Sequence, residues 1–284
     1  MASTYPTNFL LGLIGAPIAH SASPAMHEAA GEALGIRCRY PLIEVAGAGR
    51  DRLRSMLEGI RTLTFSGVNV TYPYKVAIVS LLDGLDPSAA KVGAVNTIAV
   101  RDERLIGFNT DCSGFKRGVS RELGDVAGQC IALIGAGGVG KAIGVALAKG
   151  GVGRLNIVDR DPLRAAELAK ALKNHCDARA SESAELALVG AQGLVNATAV
   201  GMLPNTDTPA PLHLLRSDLW VADAVYQPLW TPLLLAARGL NAKVMTGREL
   251  AIDQAMDAFQ IFTGKEPPRA AMANAFDQIV EGRK

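Results

Sequence analysis

Cys130-Ile131-Ala132-Leu133-Ile134-Gly135-Ala136-Gly137-Gly138-Val139-Gly140 is the stretch on which the fold turns. The unbroken apolar run 131–134 is what a parallel strand covered on both faces requires. The glycines after it fit G-x-G-x-x-G, and 138–149 is read as the helix that follows. In that order the pattern signals dinucleotide binding through Gly135, Gly137, Gly138, Val139 and Gly140. Glycines let the backbone turn sharply and approach a pyrophosphate, and the helix N-terminus offers N–H groups and a partial positive charge. The plain alternative is an ordinary glycine-rich turn between strand and helix.

A strand at 154–159, a helix at 162–173 and strands at 192–196, 219–224 and 242–245 continue the rhythm. Residues 112–247 are therefore expected to form a Rossmann-type, doubly wound parallel sheet. Asp159 ends the second strand. An acidic residue there accepts hydrogen bonds from the ribose hydroxyls and repels a 2′-phosphate, which favours NAD over NADP. Arg160 and Arg164 pull the other way, because a guanidinium stacks on adenine or pairs with a phosphate. The alternative use of Asp159 is to cap the helix that Pro162 opens.

Outward from this core, 284 residues suggest two domains at the usual ~150 residues each. Hydrophobic residues at 49% and charged residues at 20% exclude a disordered chain, a collagen or a coiled coil. The charge balance, 29 − 27 = +2, gives no reason to expect nucleic acid or an anionic membrane as partner. No run reaches the ~18 apolar residues of a membrane-spanning helix, and 9–15 is read as a buried strand rather than a signal peptide. Cys38, Cys112, Cys130 and Cys176 form no CxxC pair, and the four histidines show no HxxxH spacing. No metal site is expected, and reduced thiols in the cytoplasm are.

The flanking regions also read as α/β, with strands at 9–15, 38–45, 66–70, 95–100 and 104–108 and helices at 24–35, 50–60, 73–82 and 111–123. Residues 247–264 and 269–281 are read as helices, the first with Asp253, Asp257 and Gln260 on one face and Ala251, Ala255, Ala258 and Phe262 on another. The segment 198–212, rich in Pro, Thr and Gly, is long enough for a functional loop. Three polar clusters stand out. Ser21 and Ser23 can aim two hydroxyls at one polar ligand, although Ser23 before Pro24 also reads as a helix N-cap. Pro73 is expected at the first helical position, which puts Lys75 in the first turn, where the helix dipole would lower its pKa and suit it to acid–base work. The bland reading is a solvated lysine. Asn96 and Asp111 lie at the ends of what read as adjacent strands, and Asp111 either caps a helix or pairs with Lys75. Gln254, beside the apolar stripe of its helix, needs a partner from protein or ligand.

These residues resemble the shikimate dehydrogenase family over nearly the whole chain. The matching pieces are Gly15-Ala16-Pro17-Ile18-Ala19-His20-Ser21-Ala22-Ser23-Pro24, Asn69-Val70-Thr71-Tyr72-Pro73-Tyr74-Lys75, Gly93-Ala94-Val95-Asn96-Thr97, Asn109-Thr110-Asp111, the glycine turn, Asn196-Ala197-Thr198 and Gln254. The resemblance implies hydride transfer between a nicotinamide and the C3 oxygen-bearing carbon of shikimate or 3-dehydroshikimate, with quinate or an aminoshikimate analogue as alternatives. It implies that Lys75 and Asp111 are the catalytic pair. Ser21, Ser23 and Tyr226 resemble the carboxylate-binding hydroxyls, and Thr71, Asn96 and Gln254 the groups that hold the ring hydroxyls. Met202 and Gly247 resemble contacts to the nicotinamide half, and Thr198 is a further cofactor-binding residue. The substrate domain it implies is 1–111 with 248–284, in a monomer or homodimer. Asp159-Arg160-Asp161 stands where many NADP-using members carry Asn-Arg-Thr, which points to NAD, with NADP as the second choice. The Ser21-x-Ser23 pair leans toward shikimate. The reading from another class is a nucleotide-sensing protein without turnover.

Overall fold

A computed structural model of the chain describes residues 8–282. The chain divides into two compact units: residues up to Thr110 together with those from Ile252 onward, and Asp111–Ala251. Among the described residues, no helix is long and apolar enough to cross a membrane.

The first unit contains β1 (Asn8–Leu10), β2 (Leu13–Gly15), α1 (Ser23–Ala33), β3 (Arg37–Arg39), β4 (Leu42–Glu44), α2 (Arg50–Thr62), β5 (Gly67–Val70), β6 (Gly84–Leu85), α3 (Pro87–Val92), β7 (Thr97–Arg101) and β8 (Arg104–Phe108). Its main sheet has the order β4-β2-β5-β7-β8-β6. β2 runs parallel to β4 and β5, β7 is antiparallel to both β5 and β8, and β6 is parallel to β8. These directions bring the carboxyl ends of β2, β5 and β8 and the amino end of β7 to one edge of the sheet. Ile14, Leu57, Val68, Val70, Ile98 and Leu105 form the core beneath it.

The second unit contains α4 (Asp111–Glu122), β9 (Cys130–Ile134), α5 (Gly138–Lys149), β10 (Arg154–Val158), α6 (Pro162–Leu172), β11 (Asp177–Ala180), α7 (Ala184–Ala187), β12 (Gly193–Asn196), β13 (Trp220–Asp223), α8 (Pro232–Gly239) and β14 (Val244–Met245). Its sheet, β11-β10-β9-β12-β13-β14, is parallel throughout. This is the dinucleotide-binding strand order, with its reversal point between β9 and β12. Ile131, Leu133, Leu155, Ile157, Leu194 and Val221 are fully buried, as strands covered on both faces require. α9 (Gly247–Thr263) begins in this unit and continues in the first, where α10 (Arg269–Glu281) packs on α1.

The structure corrects several expectations. Neither 9–15 nor 38–45 is one strand: β1 pairs with β3 and β2 with β4, in different sheets. In 38–45 the break falls at Pro41, which has no N–H to give the ladder. Residues 73–82 form turns and a short 3₁₀ segment at Val79–Leu81, so Lys75 is not in the first turn of an α-helix and no helix dipole acts on it there. Tyr74 holds this segment down: its phenol donates to the Val45 carbonyl at 2.7 Å and accepts from the Ala48 N–H at 3.0 Å. Ser23 is the first helical residue rather than the cap. The Ser23 N–H donates to Ser21 Oγ (3.2 Å), and the Ser21 hydroxyl donates to Ser23 Oγ (3.1 Å). The cap of α6 is Asp161, which accepts from Leu163 N–H, and not Asp159. Asp253 shares its face with Asp257 and Gln260 but is buried rather than solvated. It is 1% exposed and meets Arg269 at 3.2 Å, a partner from the next helix that periodicity cannot reveal.

Candidate functional site

In the second unit the glycine turn joins β9 to α5 at the reversal point, and its glycines differ in what surrounds them. Gly135 has φ +105°, and a Cβ on it would lie 2.8 Å from the Ala197 carbonyl oxygen. A Cβ on Gly140 would lie 1.9 Å from the Gly135 carbonyl oxygen, so the packing of helix on strand demands glycine there. A Cβ on Gly137 would meet no heavy atom within 4 Å. Nothing in the protein's own packing requires glycine at that position. Gly138 and Val139 open α5, where helical N–H groups lack intrahelical partners.

Asp159 faces this turn. One carboxylate oxygen accepts from Ala136 N–H at 2.7 Å and the other from Asp161 N–H at 2.9 Å. The side chain is thus fixed at the end of β10 and half-buried. Arg160 is exposed, and Arg164 lies 3.4 Å from Asp161, a solvent-screened pair. Beyond β12, Thr198 donates its N–H and its hydroxyl to Asn196 Oδ1, at 3.0 and 2.7 Å. Met202 follows on the same loop and is 37% exposed. Gly247 is buried, and a Cβ on it would lie 2.4 Å from the Val225 carbonyl oxygen.

In the first unit, the loops at the shared sheet edge carry a network of amides and hydroxyls. Asn96, 2% exposed, sits just before β7. Its Oδ1 accepts from Thr110 N–H (2.9 Å) and the Thr97 hydroxyl (3.0 Å), and its Nδ2 donates to Thr110 Oγ1 (2.8 Å). Gln254 on α9 joins through Oε1, 3.4 Å from both Asn96 Nδ2 and Thr110 Oγ1. Behind it, Asn69 donates to Thr97 Oγ1 and the Asn96 carbonyl and accepts from the Tyr40 phenol at 2.6 Å. Lys75 is held at this edge by its carbonyl, which accepts from Val95 N–H at 2.8 Å. Thr71 lies on the same turn segment. A Cβ on Gly15 would come within 2.3 Å of the Thr71 methyl, so glycine lets the two loops meet.

Of the residues singled out from sequence, Ser21, Ser23, Thr71, Lys75, Asn96 and Gln254 therefore belong to the first unit. Asp111, the buried first residue of α4, and Tyr226, after β13, belong to the second. Asn69, Thr97, Thr110 and Tyr40 were not singled out for a role. The available signal was polar residues at strand positions that should be apolar, such as Asn69 between Val68 and Val70. The four cysteines form no disulfide, and burial raises the pKa of each thiol, that of Cys38 to about 12. None is a ready nucleophile.

Residues 13–98 match the family model of the shikimate dehydrogenase substrate binding domain, and residues 118–201 match that of shikimate / quinate 5-dehydrogenase. The chain is 41% identical over 272 residues to a shikimate dehydrogenase (NADP(+)) of Streptomyces avermitilis, covering 93% of this chain and 94% of that one. It is also 41% identical over 277 residues to a quinate/shikimate dehydrogenase (NAD(+)) of Corynebacterium efficiens, covering 95% and 98%. The solved quinate dehydrogenase from Corynebacterium glutamicum in complex with NAD superposes with a TM-score of 0.86 at 39% identity, over 95% of this chain and 99% of that one. Two matched models in register with the two sheets, and identity spread along the full length, mean that this chain belongs to the shikimate dehydrogenase family of oxidoreductases.

Proposed function

We propose that this protein interconverts 3-dehydroshikimate and shikimate by hydride transfer, with NAD preferred over NADP. The reading is carried by two features coexisting in a member of this family. One is a glycine turn open at Gly137 and faced by the Asp159 carboxylate. The other is a buried amide–hydroxyl network at the sheet edge where the backbone of Lys75 is held.

The glycine turn fits a dinucleotide, because Gly137, with no heavy atom within 4 Å of where its Cβ would be, leaves room at the helix N-terminus. Gly135, Gly138, Val139 and Gly140 would hold the pyrophosphate, and Asp159 the ribose hydroxyls, with Arg160 and Arg164 at the adenosine end. Thr198, Met202 and Gly247 would line the nicotinamide half. Bound there, the nicotinamide supplies the acceptor or donor of the hydride. The Asp159 carboxylate disfavours a 2′-phosphate, which is the basis of the NAD preference.

The substrate carboxylate is assigned to the hydroxyls of Ser21, Ser23 and Tyr226, and the ring hydroxyls to Thr71, Asn96 and Gln254. Neutral donors that converge bind a carboxylate without an arginine. In the oxidising direction Lys75 takes the hydroxyl proton on Nζ, and in the reducing direction it returns it. Asp111 orients the lysine and the substrate. Both roles rest on the motifs Asn69–Lys75 and Asn109–Asp111. A network whose members fix one another holds these donors ready, so that little ordering remains to be done when substrate arrives. The same reading places a monomer or homodimer in the cytoplasm, where thiols stay reduced.

Oxidation of quinate is the second reading, favoured by the similarity to the Corynebacterium proteins. Purified protein assayed by nicotinamide absorbance with shikimate and with quinate, each against NAD and NADP, tests both. Fastest turnover with shikimate and NAD is expected. Quinate as the better substrate would move the assignment to the second reading, and cofactor binding without any turnover would identify a nucleotide-sensing protein instead.

A further inference from the structure

Asp223 is the last residue of β13 and is 1% exposed. Its Oδ1 accepts from Asn196 Nδ2 and from Val225 N–H, both at 2.9 Å, and its Oδ2 accepts from the Thr231 hydroxyl at 2.8 Å. None of these partners is charged. Burial pushes the carboxyl pKa up to about 7, against the pull of the three hydrogen bonds. A core position needs no such group, because an apolar side chain there carries no desolvation cost.

The three partners belong to two loops, Asn196 at the head of the one after β12 and Val225 and Thr231 in the one after β13. Asn196 organises the loop after β12: its Nδ2 also donates to the Val200 carbonyl at 3.0 Å, while its Oδ1 holds Thr198. Val225 precedes Tyr226, and its carbonyl is the group that excludes a Cβ from Gly247. Thr231 caps α8 by accepting from Leu234 N–H. A separate tie, Leu203 N–H to the Gln227 carbonyl at 3.0 Å, joins the same two loops farther out.

We propose that Asp223 is a positioning residue for the nicotinamide end of the cofactor, joining Asn196, Val225 and Thr231 so that 196–203 and 223–231 keep one arrangement. The inference rests on the assignment of Thr198, Met202 and Gly247 to that end. Asp223 itself touches neither substrate nor cofactor and acts through the two loops.

The test uses two ligands that share the adenosine end: NADH, which also needs the loops, and AMP, which does not. In full-length Asp223→Ala, the NADH dissociation constant and the KM for NAD should rise about ten-fold, the loss of buried hydrogen bonds, while AMP affinity stays within about two-fold. Asp223→Asn should restore NADH affinity to within about three-fold, since the amide can accept from Asn196 and Val225 and donate to Thr231. Thr231→Val, a smaller lesion in the same network, should weaken NADH about three-fold with AMP unchanged, and it carries the test if Asp223→Ala does not fold. Equal losses of NADH and AMP would mean that Asp223 merely supports the fold, and no change in either would overturn the proposal. Wild-type protein that binds AMP but neither NADH nor NADPH would instead overturn the cofactor assignment itself, and the proposal with it.

Discussion

At Gly135–Gly140 the proposed cofactor site is made of backbone, whereas at Asn96 and Gln254 the proposed substrate site is made of side chains held, with Thr110, in one hydrogen-bond network. The first arrangement works by what is missing: a Cβ at Gly140 would collide with the Gly135 carbonyl, and a Cβ at Gly137 would fill space the protein itself does not use. The second works by mutual satisfaction: Asn96, Thr97 and Thr110 each donate to and accept from neighbours, and Gln254 accepts through Oε1. A backbone site therefore separates stability from binding residue by residue, and a side-chain network couples them.

The comparison can be broken most sharply at Lys75, which lies at the network's edge. Lys75→Ala should lower kcat/KM for shikimate oxidation at least about a hundred-fold, the usual worth of a general acid–base group, while NADH binding by fluorescence is unchanged. A loss of NADH binding in that variant would show that the two regions are not separable. Next come the glycines. Gly140→Ala should cost about 2–3 kcal/mol in denaturant unfolding, because backbone must move to admit the methyl. Gly137→Ala should leave stability nearly unchanged and raise the NADH dissociation constant about ten-fold, because its methyl meets the ligand instead of the protein.

Asn96→Ala should show the coupling of the other region. It strands the Thr110 N–H and should destabilise by about 1–3 kcal/mol while also raising the KM for shikimate and sparing that for NAD. The smallest effect concerns Asp223. Its folded pKa of about 7 stands above the ordinary carboxylate value of 3.8. The stability it contributes is therefore fully present below the unfolded pKa and is lost as pH rises through the folded one. Asp223→Asn should remove this slope, so its Tm relative to wild type should be higher at alkaline than at mildly acidic pH, by about 3 °C. Parallel pH profiles of the two proteins would contradict it.

The same difference in materials governs what could be read from the sequence. β9, the glycine turn and α5 were legible because a doubly covered parallel strand is a plain apolar run and glycine leaves a literal mark. The first unit is mixed and built of short strands. There breaks at Leu11-Gly12 and at Tyr40-Pro41 split two expected strands into four, across two sheets, an outcome that hydropathy does not encode. β11 was missed because an exposed edge strand, Asp177-Ala178-Arg179-Ala180, has no apolar alternation. The expected helix at 73–82 failed because the Tyr74 phenol is tied to Val45 and Ala48, partners distant in sequence. For the same reason Asn69, Thr97, Thr110 and Asp223 were overlooked, since the value of a buried polar residue lies in partners that only the fold assembles.

The central claim is that a hydride leaves the C3 carbon of shikimate for the nicotinamide of this protein's cofactor. Shikimate deuterated at C3, incubated with NAD and the enzyme, tests it directly by mass spectrometry of the NADH formed. NADH that carries the substrate's deuterium is the expected product. NADH formed without the label, or no NADH while 3-dehydroshikimate accumulates, would contradict it.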